Sequence, residues 1–499
     1  MKRFAGLIVV FVMLLSALPA LADEARTSGD FQYTLKSNGT ATIVGYTGSG
    51  DSIIIPQMLD GYTVTAIGDG AFLITDEILN SFEDPYNDLD NYLAIKISVT
   101  LPNTIKSIGD FAFYTKNVVS INLPDSLEYI GKGAFVGSNA ITYRISANHP
   151  TFAVVDGALY DKSQKKLIWG KEDATIPEGI KIIGDYACYE VPNCGINRNG
   201  IALPSTIEEI GDYAFYGNSY SFKYGTTDLI FGQNLHKIGA YAFSDINFSG
   251  PYWSKDIKAA LYIPDTVSEI GEGCFYGFGN AIIDCIYLKI VISQNSQLRK
   301  IPDKAFSHYL LSIYFDDDDN GYNVWFGYED KDVKPVCAIE CNAPITDIGE
   351  YAFFGTDIQN FNTESVKTLG KGAFMRCNFN SDITVPSSCK TISEDTYMMA
   401  RTNGYDILIP DGVETIGANA FAVNLMSEAK YSWDTPKPNS ISPIRLPTSL
   451  TSIAPDAFRD DAEFIVERGS YAYRWAEENA RNYSIDGEKQ NLDLSLIHI

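Results

Sequence analysis

The chemistry with the clearest residue spacing in this chain is oxygen ligation of a calcium ion. Asp316, Asp318 and Asn320 match the opening of a calcium-binding loop, in which alternate residues supply carboxylate or amide oxygens. Such a loop needs a bidentate glutamate at its twelfth position, where this chain has Gly327, and Glu329 comes two places late. The spacing leaves two interpretations open, a metal site at these three residues or a solvated turn, and the turn is favoured.

Residues for catalysis are present, but not in catalytic arrangements. An enzyme needs convergent groups, such as a nucleophile with its base, a carboxylate pair or a set of metal ligands. The chain contains no G-x-S-x-G, H-E-x-x-H, P-loop or Rossmann glycine motif. Its four histidines are scattered singly at positions 149, 236, 308 and 498. We therefore expect no catalytic residues, no cofactor and no enzyme activity.

Aromatic side chains form the second candidate site, because they cluster in insertions between repeated segments. Tyrosine and tryptophan give interface area at low entropic cost, and their flat rings can also stack on sugars. The alternative is that the rings fold back as a second hydrophobic layer. The candidate ligand-binding residues are Tyr220, Phe222, Tyr224, Tyr252, Trp253, Tyr322, Trp325, Tyr328, Tyr431 and Trp433.

Composition limits the class of partner. The chain has 499 residues, 45% of them hydrophobic, and 38 Lys and Arg against 63 Asp and Glu give a formal charge of −25. The hydrophobic content excludes a disordered chain. The negative charge repels phosphate backbones, and no basic cluster offsets it, so nucleic acid is excluded as a partner.

The N-terminus has the pattern of an export signal. Met1-Lys2-Arg3 is followed by an apolar run to about Leu18 and by the small residues Ala20-Leu21-Ala22. This order is typical of a secretory signal peptide cleaved after residue 22, although an uncleaved membrane anchor is the alternative. Since no later segment is long and apolar enough to span a bilayer, we expect an extracellular protein, secreted or associated with the cell surface, with no membrane insertion after cleavage.

Eight cysteines in an exported chain raise the question of disulfides. Cys188 and Cys274 occupy positions that other repeats fill with Phe or Ala, which favours buried, unpaired thiols. Cys337 and Cys341 would lie about 13 Å apart in an extended segment, too far to bridge without a turn. Among local pairs, Cys188 with Cys194 is the best candidate. No spacing matches a zinc site.

One short phrase recurs along the chain and determines its organisation. The phrase is Ile-Gly-x-x-Ala-Phe, with substitutions, and copies begin at residues 67, 108, 130, 183, 210, 238, 270, 301, 348, 369, 392, 416 and 453. The closest copies are 21 to 24 residues apart, and longer steps carry insertions. This period predicts a β-rich repeat solenoid of about thirteen coils.

A second phrase precedes most copies and predicts a short strand. In Ile121-Asn122-Leu123-Pro124 the apolar residues alternate, and proline ends the strand because it lacks a backbone donor. Each repeat has one apolar side, which it buries by stacking on its neighbours in parallel. The phenylalanines of the recurring phrase are expected to form a buried structural spine. They are Phe72, Phe113, Phe135, Phe215, Phe243, Phe275, Phe306, Phe353, Phe374, Phe421 and Phe458.

The combined phrase I-x-L-P-x-x-L-x-x-I-G-x-x-A-F-x-x-C resembles the Treponema-type leucine-rich repeat of BspA-like bacterial surface proteins. Cys377 stands at the family's cysteine position, which other residues fill in most copies. The resemblance covers about residues 31–485 and implies a curved leucine-rich-repeat architecture. The segment from Val155 to Ile168 resembles a hairpin insertion of this family, and the turn signal Asp156-Gly157 fits it independently.

Both ends of the repeat region have the pattern of caps. Residues 31–35 and 41–43 flank Ser37-Asn38-Gly39, which predicts a β-hairpin. Near the other end, Ser470 can cap a helix with Ala472, Trp475, Ala476 and Ala480 on one face. The predicted segments are a signal peptide at 1–22, an N-terminal cap with the first strand at 23–66, the solenoid with insertions at 67–465, a capping helix at 466–485 and a tail at 486–499. The last six residues resemble a translated sequencing adapter, which predicts that the native chain continues.

Together these patterns predict a non-catalytic binding protein. Insertions on one side of a solenoid often carry recognition, so an extended surface for an extracellular protein or glycan is expected. The resemblance to BspA-like proteins implies adhesion to host or neighbouring-cell proteins. The alternative is a polysaccharide-binding module of a larger extracellular enzyme.

Overall fold

The computed structural model describes fifteen segments of the chain, which are residues 25–48, 51–73, 96–115, 118–138, 141–197, 200–201, 203–221, 229–249, 257–278, 286–308, 313–316, 323–326, 337–400, 406–422 and 442–487. The chain divides into two compact units, residues 1–154 and 155–499. Both units are β-rich repeat structures. Their parallel sheets fit a solenoid, as the period of the sequence predicts.

Unit 1 consists of short strands, in agreement with the alternating apolar residues of each repeat. Within its described residues the strands are β1 (Arg26–Ser28), β2 (Phe31–Leu35), β3 (Ala41–Tyr46), β4 (Ser52–Ile54), β5 (Met58–Leu59), β6 (Tyr62–Ile67), β7 (Ile97–Thr100), β8 (Ser107–Ile108), β9 (Val118–Leu123), β10 (Tyr129–Ile130), β11 (Thr142–Ile145) and β12 (Phe152–Val155), the last ending one residue past the unit.

Two parallel sheets organise unit 1. One pairs β3, β6, β8 and β10, and the other pairs β4, β7, β9 and β11. The predicted N-terminal hairpin is present, since β2 pairs antiparallel with β3, and β1 extends it. Within a strand such as β9, Ile121 and Leu123 face the core while Asn122 lies between them and is partly exposed.

Unit 2 repeats the same pattern over more coils. Its strands up to residue 341 are β13 (Ala158–Asp161), β14 (Lys166–Trp169), β15 (Ile182–Ile183), β16 (Ile196–Asn197), β17 (Gly200–Ile201), β18 (Glu209–Ile210), β19 (Ser219–Ser221), β20 (Leu229–Ile230), β21 (Lys237–Ile238), β22 (Asn247–Ser249), β23 (Ile257–Ile263), β24 (Glu269–Ile270), β25 (Ile286–Ile292), β26 (Lys300–Ile301), β27 (Ile313–Asp316), β28 (Asn323–Phe326) and β29 (Cys337–Cys341).

The remaining described elements are short strands and one helix. They are β30 (Asp347–Ile348), β31 (Asp357–Phe361), β32 (Thr368–Leu369), β33 (Asn378–Phe379), β34 (Ile383–Thr384), β35 (Thr391–Ile392), β36 (Ile407–Leu408), β37 (Thr415–Ile416), β38 (Ile444–Arg445), β39 (Ser452–Ile453), β40 (Glu463–Val466), α1 (Tyr471–Glu478) and β41 (Asn482–Ile485).

Two parallel ladders run along unit 2. Strands β20, β23, β25, β29, β31 and β33 form one sheet of six, which contains the seven-residue strands β23 and β25. The two-residue strands of the recurring phrase form the other. In it β15, β18, β21 and β24 pair in order after the hairpin strand β14, and the separate groups β26, β30, β32 and β35, β37, β39 follow. The hairpin predicted from Val155 to Ile168 is present as the antiparallel pair β13 and β14.

The spine phenylalanines stack ring on ring inside each unit. In unit 1 the rings of Phe72, Phe113 and Phe135 follow one another with centroids 4.9 and 6.0 Å apart. In unit 2 successive centroids lie 5.1–5.6 Å apart and the ring planes differ by only 3–9°. That column consists of Phe215, Phe243, Phe275, Phe306, Phe353, Phe374, Tyr397, Phe421 and Phe458. These stacks bury a large apolar area between coils.

The glycine of the recurring phrase is required by close approach of the next coil. The N–H of Gly239 donates to the carbonyl of Ile210 in the preceding coil, at 2.8 Å. A Cβ at Gly239 would lie 2.5 Å from the carbonyl carbon of Gly211, and a Cβ at Gly211 would lie 2.9 Å from that of Gly184. Because backbone atoms are among the obstructing atoms, side-chain movement alone cannot relieve the contact.

The fourth residue of the phrase has a left-handed backbone. From the copy at residue 67 to the copy at 416 its φ lies between 52° and 62°, although glycine, aromatic, acidic, amide and lysine residues all occur there. Its N–H donates to the following coil, as when Tyr213 donates to the carbonyl of Ala240 at 2.8 Å. The turn segments therefore form a third hydrogen-bonded ladder beside the two sheets.

The helix α1 lies near the end of the described chain. Its N-cap is Ser470, whose hydroxyl accepts from the N–H of Tyr473, as predicted. Ala472, Trp475 and Ala476 are buried, and Trp475 contacts the rings of Phe458 and Phe464. The helix is shorter than the predicted 466–485. It ends at Glu478, Ala480 is exposed in a left-handed turn, and residues 482–485 instead form β41 parallel to β40.

Candidate interaction surface

The six-stranded sheet of unit 2 presents one row of side chains to solvent. Register aligns Tyr262, Val291, Glu340 and Asn360, one from each of four neighbouring strands. The residues on either side of this row in the strands, such as Leu261, Ile290 and Ile339, are buried. We call Tyr262, Lys289, Val291, Glu340, Asn342 and Asn360 the strand face. Tyr262 is 55% exposed, although it is a large aromatic residue.

Polar contacts hold the strand face in place. Lys289 forms an ion pair with Glu340 across the β25–β29 pair. The amide nitrogen of Asn342 donates to Glu340 at 3.3 Å, and the amide nitrogen of Asn360 donates to the side-chain oxygen of Asn342 at 3.0 Å. This connected network limits side-chain motion on the surface, so a partner that binds here would meet groups already oriented.

A shallow pocket of about 570 Å³ opens where the second sheet is interrupted. The glycine of the phrase is replaced there by Pro302, which has no N–H to donate to the preceding coil. The turn before it is also two residues longer than the turn from Pro264 to Ile270. Strands β24 and β26 therefore belong to different sheets, and Glu269, Arg299 and Lys300 line the space between them.

Six tyrosines form an array at the surface that sequence reasoning missed. Tyr186, Tyr213 and Tyr241 stack with centroids 5.0 and 5.1 Å apart. Tyr189 and Tyr216 stack at 5.0 Å in a second column beside the first, and Tyr276 meets Tyr241 edge-on. We call these six residues the tyrosine ladder; all are partly exposed except Tyr189, which is buried. The signal in the sequence is the phrase Gly-x-Tyr-Ala, which occurs in three consecutive copies. It is recognised as a surface only when neighbouring coils are aligned.

The cysteines of the described chain serve structure. Cys188 and Cys194 form a disulfide, which corrects the expectation that Cys188 is an unpaired thiol. The turn between them includes left-handed Glu190 and Asn193, and it brings the two Cα atoms to 6.0 Å. The other described cysteines, at 274, 337, 341, 377 and 389, are free and buried. Burial raises the pKa of the Cys337, Cys341 and Cys377 thiols to about 12, so they stay protonated and unreactive.

The comparison with protein families decides the relationship. The model of the BspA type leucine rich repeat region, which contains six copies of the repeat, matches residues 91–219, 171–319 and 332–428. The chain belongs to this BspA-type family.

Solved structures with the same kind of repeat are similar to this BspA-type chain. A leucine rich cell surface protein from Faecalibacterium prausnitzii A2-165 is 19% identical, with a TM-score of 0.37, over 94% of this chain and 97% of that one. A leucine-rich repeat protein from Bacteroides ovatus ATCC 8483 is 18% identical, with a TM-score of 0.34, over 94% of this chain and all of that one. No curated protein matches the chain.

The aromatic residues predicted to bind ligands fall mostly outside the described residues of this BspA-type chain. Tyr220 is described and is completely buried, which makes it a packing residue and removes it from the exposed surface. Only the backbone of Trp325 is described, within β28. Phe222, Tyr224, Tyr252, Trp253, Tyr322, Tyr328, Tyr431 and Trp433 lie outside the described residues. Their role in binding stays a prediction.

The predicted calcium site also lies mostly outside the described residues. Asp316 ends β27, and Asp318 and Asn320 are not among the residues described. Elsewhere in the described chain, no group of three His, Cys, Asp or Glu side chains is placed to hold a metal ion. None of the helices described is long and apolar enough to cross a membrane.

Proposed function

We propose that this chain is a non-catalytic protein of the bacterial cell surface or of the secreted fraction, which adheres to proteins of a host or of neighbouring cells. The observation that carries the proposal is the strand face, a row of exposed and half-buried, oriented side chains on a sheet whose other side is buried. Membership of the BspA-type family supports the same function.

The chemistry of the strand face fits a protein partner. Tyr262 offers an exposed ring with a polar tip, a side chain enriched at the centres of protein interfaces. Around it, Lys289, Glu340 and Asn360 supply both donors and acceptors at fixed positions. Mixed donors and acceptors around an aromatic residue complement a polypeptide surface, because peptide groups present both kinds of atom.

The proposal includes export and capped ends. Residues 1–22 act as a signal peptide, and residues 23–66 and 466–485 close a solenoid of about thirteen coils, with residues 67–465 between them. The hairpin β2–β3 and the helix α1 support the caps, because each covers apolar residues at one end of a repeat series. Sequencing the N-terminus of the exported protein should give Asp23 first, and an intact Met1 would contradict cleavage.

The binding test uses the purified chain on an array of extracellular-matrix proteins and polysaccharides. We expect binding to one or more proteins that falls about tenfold in the variant Tyr262→Ala/Asn360→Ala, since truncation of interface centres costs about 1–2 kcal/mol or more. The variant Trp253→Ala/Trp325→Ala/Trp433→Ala tests the insertions in parallel. Binding to polysaccharides alone, lost in the tryptophan variant, would replace adhesion to proteins with the carbohydrate-binding alternative.

A further inference from the structure

Three residues of the tyrosine ladder have a backbone conformation that favours glycine. Tyr186, Tyr213 and Tyr241 have φ values of 59°, 54° and 52°, in the left-handed region where a side chain is unfavourable. Glycine fills the equivalent position at residues 70, 133, 273 and 372, with φ between 56° and 62°. Glycine therefore meets the requirements of the turn, and the tyrosines, like the other non-glycine residues at this position, adopt it at some cost in backbone strain.

Acidic side chains flank the ladder. Asp212, Glu190 and Glu272 are exposed beside it, and Asp185 and Asp245 are partly exposed. Glu272 and Asp212 are near enough to Tyr213 to help raise the pKa of its hydroxyl, after the larger effect of burial. The surface thus combines aromatic rings, hydroxyl oxygens and carboxylates.

The chain itself shows which group this combination binds. The hydroxyl of Tyr241 donates to Oε1 of Glu272 at 2.7 Å, and Nζ of Lys304, one coil further on, binds the same oxygen at 3.0 Å. The Glu272 carboxylate therefore accepts from a tyrosine hydroxyl of the preceding coil and from a lysine ammonium group of the following coil.

Two coils earlier, a carboxylate at the equivalent position of the repeat has no such ion pair in the described part of the chain. Asp212 has the same place relative to Tyr186 as Glu272 has relative to Tyr241, namely the third residue of the next copy. In the copy that follows Asp212, the position equivalent to Lys304 is occupied by Tyr241. The repeat therefore supplies no lysine at that position. Oδ1 of Asp212 accepts from the N–H of Ala240 at 2.8 Å, and within the described residues Asp212 has no ion pair. This carboxylate can still receive a cation from outside the chain.

We propose that the tyrosine ladder is a binding surface for a cationic polypeptide segment, rich in arginine or lysine. The aliphatic stems of such residues pack along the edges of the rings, and their charged ends reach the carboxylates of Asp212 and Glu272. The coil spacing of about 5 Å along the ladder lets an extended segment run across several coils. This surface is separate from the strand face and does not depend on it.

The test is fluorescence anisotropy with a labelled peptide of alternating arginine and glycine, and a peptide of alternating glutamate and glycine as its control. We expect the purified chain to bind the arginine peptide only, with affinity that falls as salt is raised. The variant Tyr213→Gly/Tyr241→Gly should weaken binding about tenfold. Its thermal unfolding midpoint should stay near that of the parent chain, because the loss of ring contact is offset by relief of the backbone.

The chain offers a matched control at Tyr351. This tyrosine has the same position in its copy and a φ of 52°, but its neighbours in the column are Lys304 and Gly372. Tyr351→Gly should leave peptide binding unchanged. Tyr213→Phe/Tyr241→Phe keeps the rings and should retain most of the binding, while Asp212→Asn/Glu272→Gln should weaken it.

Four results would overturn the proposal. They are no binding of the arginine peptide, equal binding of both peptides, equal effects of Tyr351→Gly and the double glycine variant, and an aromatic surface that binds a polysaccharide in place of the peptide. Adhesion through the strand face is measured on the array with a different variant. A failure of the ladder therefore leaves that result intact, and a failure of the array leaves the peptide result intact.

Discussion

The glycines of the recurring phrase show how a single atom limits the stacking of coils. We expect Gly239→Ala to lower the free energy of unfolding by about 3 kcal/mol, at the upper end for an overpacked site. The added Cβ would lie 2.5 Å from the carbonyl carbon of Gly211 and 2.6 Å from the nitrogen of Asp212, where neither neighbour can move aside. Urea unfolding measures the change.

Gly469→Ala is the control for this substitution. Gly469 has a φ of 81° and nothing within 4 Å of its added Cβ, so alanine there adds backbone strain without a close contact. That strain is worth about 1 kcal/mol. Should Gly239→Ala cost no more than the control, close approach of the coils would not be the reason for the glycine.

Single residues also show what the sequence could and could not predict. The repeat phrase identified Phe353 and Phe374 as neighbours in a spine, because a fixed period places equivalent residues one coil apart. It did not identify the ladder of Tyr186, Tyr213 and Tyr241, since tyrosine is one of several residue types at a variable position. Exposure of that position depends on the turn, which the period alone does not describe.

Among the elements, α1 allows a direct test of its role next to the last coils. Trp475 is 3% exposed, and its ring meets Phe458 and Phe464 at centroid distances of 6.0 and 5.6 Å. We expect Trp475→Ala to cost about 3–5 kcal/mol locally. Hydrogen exchange should then become faster in β40 and β41, with β29 and β31 unchanged.

The exposed side of the same helix provides the control. Arg474 lies on α1 but is exposed, so Arg474→Ala should leave exchange in β40 and β41 nearly unchanged. If both variants speed exchange equally, the effect belongs to the helix itself and not to the packing of its tryptophan. Faster exchange over the whole of unit 2 would show that the helix supports more than the adjacent strands.

Element boundaries were predicted less well than element types. The hairpins β2–β3 and β13–β14 followed from turn residues between alternating segments, which are local signals. The helix was predicted too long, because residues 482–485 gain a strand partner in β40 that no local pattern reveals. The interruption of the sheet at Pro302 was not predicted either. A local pattern does not show which carbonyl of the preceding coil would have accepted from the N–H that proline lacks.

At the scale of the molecule, a stacked spine predicts how substitutions combine. Phe353 and Phe374 have centroids 5.2 Å apart, whereas six rings separate Phe215 from Phe421 in the same column. Replacement of each by leucine should cost about 1–1.5 kcal/mol. The losses of Phe215→Leu and Phe421→Leu should add, while those of Phe353→Leu and Phe374→Leu should differ from their sum by about 0.5 kcal/mol or more. Urea unfolding of the single and double variants gives both values.

Coupling between adjacent rings and additivity between distant rings are both required if nearest-neighbour contacts stabilise the repeat structure. Equal coupling in the two pairs would indicate that unit 2 unfolds as one undivided block, with strain transmitted over several coils. No coupling in either pair would show that the rings contribute by burial alone and that their mutual stacking adds nothing.

The missing donor at Pro302 also has a mechanical consequence. At this coil the sheet of two-residue strands is interrupted, but the long strands β23, β25 and β29 remain paired, and the turn ladder continues from Gly273 to Asp303 and from Phe275 to Ala305. Two of the three lines of hydrogen bonds cross the coil and one does not. The described part of unit 2 has a second break of this sheet between β32 and β35. At both places fewer hydrogen bonds join neighbouring coils on one side, so bending that opens that side should need less force there than at coils where all three lines are complete.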